Sequence, residues 1–269
     1  MIIRSKAPFR VSFGGGGTDL PPYCIDHGGC VINTAIDRHV HISIQPREDD
    51  KIHINSINFN SEATFTVGDR DYSQDFELFK GTVNVLDIKD GFDITTYSEL
   101  PAGSGMGGSS SLTVALIGAF NEYYSLEMSP HEIAEKAYYI EREELKQKGG
   151  YQDQYAAAYG GFNFVEFTDQ VKVIPVNTNS EILNELHYRL ILCYVGGSHF
   201  SDDIQDDVLK GYKFEKKSYM ESMQDLKNVA HGMKEVLESK DLNQLNNFGE
   251  LLHEGWLAYF FRIPVKNMM

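Results

Sequence analysis

The sequence predicts an α+β protein of two lobes, and three patterns carry that reading. Residues 2–98 alternate short apolar clusters with turn signals, as strands do. A wholly apolar stretch, Leu112 to Phe120, follows a glycine-rich turn, as a buried helix does. The C-terminal part holds two long segments with apolar residues at helical spacing. With 269 residues, 42% hydrophobic and 23% charged, the chain has ample material for a core. The lobe boundary falls at Asn177, which gives an N-terminal lobe over 1–176 and a C-terminal lobe over 177–269.

In chain order, Ile2 to Ile3 and Arg10 to Phe13 read as strand pieces around Pro8, before the run Gly14 to Gly17 breaks the pattern. Val31 to Ile36 and Val40 to Ile44 continue the strands, Lys51 to Ile57 and Ala63 to Val67 form a pair, and Phe92 to Ser98 follows. Ser129, Pro130, His131 and Glu132 make a capping box with proline in the first helical position, so a helix runs from Pro130 to about Lys146. In the second lobe a strand over Tyr188 to Val195 precedes Gly196 and Gly197. Helical segments over Asp207 to Leu237 and Leu242 to Phe260 then meet at Ser239, Lys240 and Asp241 as a helical hairpin.

The stretch from Glu99 through Pro101, Gly103, Ser104, Gly105, Met106, Gly107, Gly108 and Ser109 to Ser110 and Ser111 carries the most chemistry. Its glycines let backbone N–H groups approach an oxyanion, and the helix that follows aims its positive dipole end at the same point. Ser109 or Ser110 then serves as helix cap or metal ligand. A flexible linker does not lead straight into an apolar helix, and no Gly-Lys-Ser/Thr follows, so this is neither a linker nor a Walker A loop.

Charge and cysteine usage exclude other classes. A net charge of −15 argues against nucleic acid or an anionic membrane as partner. Cys24, Cys30 and Cys193 are an odd set without zinc-type spacing, which suits a reducing cytoplasm, and no apolar run reaches spanning length. A phosphorylated substrate then has to be held locally, by cations, Mg²⁺ and glycine-rich backbone. His39 and His41 share one strand face, but no third ligand is evident, so they read as surface or packed histidines.

Three features converge on phosphoryl transfer. Glu141 falls in the middle of the stripe made by Ile133, Ala134, Ala137, Tyr138 and Leu145, where a carboxylate needs a cation. Mg²⁺ is the natural one, and an ion pair with a buried arginine is the alternative. Asp153 opens a short helix framed by glycine pairs, where the dipole favours a carboxylate that can orient a sugar hydroxyl and accept its proton. Arg10, on a strand before Gly15, Gly16, Gly17, Thr18 and Asp19, is placed to hold Asp153 ionised or to stabilise the transferring group, and Asp19 to bind sugar hydroxyls. As a dinucleotide fingerprint the run is weak: Leu20 stands where the third glycine belongs, and no helical pattern follows Pro21 and Pro22.

Together these segments resemble the GHMP kinase superfamily, with Ala7 to Asp19 matching its first motif and Pro101 to Ser109 its second, Met106 standing for leucine and Gly108 for the first serine. The resemblance implies a ribosomal protein S5 domain 2-like N-terminal lobe that binds ATP, and a ferredoxin-like C-terminal lobe. It implies that the second motif, Pro101 to Ser110, binds ATP, that Ser109 and Glu141 hold Mg²⁺, that Asp153 and Arg10 are catalytic, and that residues 15–19 meet the sugar. Within the superfamily the first motif and the residues around Asp153 look like the sugar 1-kinases. Nearest among these are bacterial kinases of D-glycero-D-manno-heptose 7-phosphate, with fucokinases nearby. The implied partner is a small sugar phosphate.

Two departures follow from the same resemblance. The family's third, glycine-rich motif is not found before Met269, so the second lobe is expected to be incomplete and the chain to be either an active kinase or a disabled nucleotide-binding homologue. The apolar tail from Leu257 to Met269 is expected to replace part of that packing or to mediate self-association as a homodimer. His199 stands where related sugar kinases carry an arginine that meets the substrate phosphate.

Overall fold

A computed structural model describes residues 1–73, 76–193 and 217–262 of the chain. The residues separate into two compact units that interleave along the sequence. The first comprises Met1–Arg10, Ala35–Lys148 and Asp153–Gly160, and the second Val11–Thr34, Gly149–Gln152 and Gly161–Met269.

The first unit is a sheet covered by helices. Strands β3 (Lys51–Ser56) and β4 (Ser61–Thr66) pair antiparallel, as their alternation predicts, and β3 runs parallel to β5 (Phe92–Ser98). β5 in turn pairs antiparallel with the second half of β2 (Gly29–Pro46), with Val40 opposite Ser98 and Pro46 opposite Phe92. Ile42, Ile44, Ile52, Ile54, Phe92 and Ile94 project from these strands into one core. Helix α3 (Gly108–Tyr124) fills that core with Val114, Leu116, Ile117 and Phe120. Burial runs without a gap from Thr113 to Ile117, so the helix is enclosed on every side, as its composition predicts. A short helix, α2 (Glu77–Val85), adds Phe79 and Val83, and no sequence signal announced it.

Two strand predictions need correction. The pieces around Pro8 are one strand, β1 (Ile3–Gly14), which pairs with β2 alone. Proline is tolerated on an edge strand, where its missing N–H has no ladder partner to lose. Likewise the segments around Asp37 and Arg38 are the single strand β2, because pairing to different neighbours along its length offsets the weak local propensity of those two residues.

Ser129 caps α4 (Pro130–Tyr138) in a full capping box: its hydroxyl accepts the Glu132 N–H, and Glu132 accepts the Ser129 N–H. The helix does not continue as α to Lys146. It passes into a π-helical turn over Tyr139–Glu144, and Lys146 lies in the left-handed region at φ 55°. A π turn widens the helix by one residue and resets which side chains face inward. Here it buries Ile140 and Glu141 side by side.

In the second unit the first half of β2 pairs with β6 (Phe162–Phe167), and β6 with β7 (Val171–Pro175), both antiparallel. A five-residue helix, α1 (Tyr23–His27), follows Pro22, where no helix was expected. Ser180–Arg189 forms helix α6, capped by Asn179, so Tyr188 and Arg189 are helical and not the start of a strand. The cap oxygen accepts the Ile182 N–H at 2.9 Å, a local interaction that overrides the β-forming residues downstream. Helices α7 (Lys217–Glu238) and α8 (Leu245–Arg262) form the expected hairpin, a 3₁₀ turn at Leu242–Gln244 lying between them. Val229, Met233, Leu237 and Phe248 close a core on Ile32 and Phe164. His199, the pair Gly196 and Gly197, residues 207–216 of the predicted helix and residues 263–269 of the tail lie outside the described residues.

Candidate active site

In the first unit the glycine-rich turn takes a backbone that its glycines make accessible. Gly103, Gly105 and Gly107 sit at φ 72°, 71° and 75°, a region that residues with a Cβ rarely enter. Gly107 is the N-cap of α3 and no side chain caps the helix, so neither Ser109 nor Ser110 takes the capping role expected of it. The first N–H groups of any helix have no intrahelical partner. Here no capping side chain supplies one. Two bonds tie this helix start to β1: the Arg10 N–H donates to Met106 O at 3.1 Å, and Ser111 Oγ donates to Pro8 O at 2.8 Å.

Arg10 and Asp153 meet beside this turn. Asp153 lies in the first turn of α5 (Gln152–Tyr159), the short helix expected between glycine pairs. Arg10 Nε donates to Asp153 Oδ1 at 2.7 Å and its NH2 approaches the same oxygen at 2.6 Å, while NH1 donates to Gly105 O at 2.9 Å. Both guanidinium contacts converge on Oδ1, which leaves Oδ2 without a hydrogen bond from the described residues. A Cβ on Gly107 would come within 3.3 Å of Asp153 Cγ and 3.5 Å of Arg10 Cγ. The Asp153 carboxyl carbon and the Arg10 side-chain stem therefore stand beside the start of α3, leaving little room for a side chain at Gly107.

Glu141 is completely buried. Its Oε2 accepts the Ser110 hydroxyl at 3.1 Å and lies 3.4 Å from Arg142 NH1. Burial drives its pKa up, while Arg142, Ser110 and the nearby Gln154 amide act the other way and Asp153 adds to the rise. Oε1 has no hydrogen bond of normal geometry, and neither does either polar atom of the Gln154 amide. Both sequence readings of Glu141 thus find a counterpart: Arg142 supplies the ion pair, and Oε1 is an orphaned oxygen of the kind a hard cation satisfies. The donor set fits Mg²⁺. Ser110 is the hydroxyl on Glu141, whereas Ser109 is exposed.

The second unit holds the loop after β1. Gly15 and Gly17 sit at φ 84° and 91°. The Thr18 hydroxyl is spent inside the loop, donating to Gly15 O and Cys30 O and accepting the Cys30 N–H. Asp19 is buried; its Oδ1 accepts from the Gly17 N–H at 3.1 Å and the Gln152 amide at 3.5 Å, and its Oδ2 from the Gln152 N–H at 3.2 Å. A Cβ at Gly150 would lie 2.0 Å from Asp19 Oδ2. Gly150→Ala should therefore displace the Asp19 carboxylate and destabilise the protein by about 1–3 kcal/mol, lowering the Tm and raising the sugar KM. Gly249→Ala is the control, since an added Cβ on that exposed α8 glycine meets nothing. It should raise the Tm slightly, by a stabilisation of about 0.4–1 kcal/mol. Equal Tm changes in the two variants would remove the steric argument.

The structure also adds a third residue beside His39 and His41. Glu99 lies against both, its Oε1 2.8 Å from His41 Nε2 and its Oε2 accepting the His39 N–H at 3.3 Å. Sequence spacing gave no sign of this, because Glu99 reaches the histidines only through the pairing of β2 with β5.

Comparison with known proteins places the chain in a family. The model of the GHMP kinases N terminal domain matches residues 77–161. D-glycero-alpha-D-manno-heptose 7-phosphate kinase of Campylobacter jejuni is 38% identical over 94% of this chain and 76% of its own. The chain belongs to the GHMP kinase family. Among solved structures, a D-glycero-D-manno-heptose 1-phosphate kinase from Bacteroides thetaiotaomicron superposes with a TM-score of 0.79 at 32% identity, over 96% of this chain and 79% of that one. Galactokinase of Lactococcus lactis superposes with a TM-score of 0.71 over 97% of this chain and 76% of that one. At 19% identity, this likeness speaks for the fold alone. Among the described residues no helix is long and apolar enough to cross a membrane.

Proposed function

We propose that this GHMP kinase transfers the γ-phosphoryl group of ATP to the anomeric hydroxyl of D-glycero-D-manno-heptose 7-phosphate, giving ADP and the 1,7-bisphosphate. The observation that carries the chemistry is the placing of the paired Asp153 and Arg10 beside the uncapped start of α3. The cradle from Pro101 to Ser110 holds the phosphates on backbone N–H groups. Asp153 Oδ2, left free by Arg10, accepts the hydroxyl proton as the sugar oxygen bonds to the γ-phosphorus and the bond to ADP breaks. Arg10 balances the carboxylate charge and fixes its orientation through Gly105 O. Mg²⁺, held by Glu141 with the Ser109 or Ser110 hydroxyl, would neutralise charge on the β- and γ-phosphates when bound. Residues 15–19 are assigned to the sugar, Thr18 through the shape of the loop and Asp19 through its carboxylate.

The heptose rests on the names of two relatives, which place the phosphate differently, at position 7 in one and position 1 in the other. Fucokinases are also related at greater distance. ADP release should therefore be measured with Mg-ATP and heptose 7-phosphate, heptose 1-phosphate, L-fucose and galactose. The 7-phosphate is expected to give the highest kcat/KM; faster turnover of fucose would replace the heptose assignment. ATP binding without release on any sugar would favour a nucleotide-binding protein that does not catalyse. With ATP as donor we place the reaction in the cytoplasm. The exposed Trp256 and Leu257 on α8 suit the expected homodimer, which light scattering at two protein concentrations would test.

A further inference from the structure

His39, His41 and Glu99 form a cluster that phosphoryl transfer does not use. His39 and His41 alternate along β2 and so share a face. Glu99 follows directly on β5, and its N–H donates to His39 O at 3.1 Å, which sets it opposite His39. One ligand atom from each of the three residues lies within 4.8 Å of the other two. Their side chains are 15%, 40% and 28% exposed, so an ion can reach them from solvent while the strand register fixes their backbones.

We propose that His39, His41 and Glu99 bind one divalent transition-metal ion, with Zn²⁺ the leading occupant. Two imidazole nitrogens and one carboxylate oxygen are the protein ligands of many three-ligand zinc sites, with water in the fourth position. Mg²⁺ and Ca²⁺ prefer all-oxygen sets, so the site selects against the ion expected at Glu141. Binding needs only side-chain movement, namely opening of the His41 to Glu99 contact. Asp37, 3.8 Å from His39 Nδ1, adds negative charge, and Lys6 opposes it from β1. Glu99 stands two residues before Pro101, so an ion here would fasten the chain where it enters the cradle.

The test is calorimetric titration of the full chain with Zn²⁺, alongside the absorption spectrum of the Co²⁺ form. One site per chain is expected, with a visible Co²⁺ band of four-coordinate nitrogen and oxygen ligation. His41→Ala and Glu99→Gln should each weaken binding at least about tenfold, while His253→Ala on α8 leaves it unchanged. Zn²⁺ should also raise the Tm of the wild-type chain but not of Glu99→Gln, whose own unfolding transition shows that it is folded. Absence of a one-to-one site would overturn the proposal. So would binding that survives the combined His41→Ala and Glu99→Gln substitutions, for instance at the exposed thiol of Cys193.

Discussion

Asp153→Asn should lower kcat by about 10²–10⁴ while leaving the Kd for ATP unchanged. The substitution keeps the shape of the side chain, and its Oδ1 still accepts from Arg10, so the cradle around Gly107 is undisturbed. What it removes is the basicity of the second oxygen, the one that Arg10 leaves free. A merely structural Asp153, present only to anchor Arg10 against Gly105, predicts a different pattern: lower Tm and weaker ATP binding with little change in kcat. Stopped-time assays of ADP release, paired with calorimetric ATP binding, separate the two. A kcat within about tenfold of wild type would remove Asp153 from the role of base.

The sequence made local features legible. The all-apolar helix α3, the capping box at Ser129 and the short helix of Asp153 each rest on residues a few positions apart, and each stands in the structure as read. Features decided by distant partners were not legible. Pro8 reads as a break until β1 is known to be an edge strand. Asp37 and Arg38 fall between two separate strand pieces until β2 is seen to pair on both sides of them. The π turn at Tyr139–Glu144, which carries the buried Glu141, has no spacing signature. The third member of the histidine cluster was hidden for the same reason, since it arrives from just past the end of β5, 58 positions from His41.

Glu141→Gln should be inactive and more stable, with a stability gain that grows with pH. Burial raises the Glu141 pKa above its ordinary value of 4.5, so the folded chain holds this proton more tightly than the unfolded chain does. Stability is then full below pH 4.5 and is lost as pH rises from there through the raised folded value. Glutamine carries no such proton and suffers no such loss, and its amide oxygen still accepts the Ser110 hydroxyl. Scanning calorimetry in the presence of a chelator should show the variant's Tm exceeding wild type by more at pH 8 than at pH 5. In the same variant phosphoryl transfer should fall by about 10² or more, because the carboxylate charge that would face the cation is gone. A Tm difference that does not grow with pH would mean that Arg142 keeps Glu141 ionised as a structural pair. Unchanged turnover would remove the cation from this position. Where both effects appear, the buried carboxylate is a stability cost retained for catalysis. The unsatisfied Oε1 is then the atom that a bound cation is expected to satisfy.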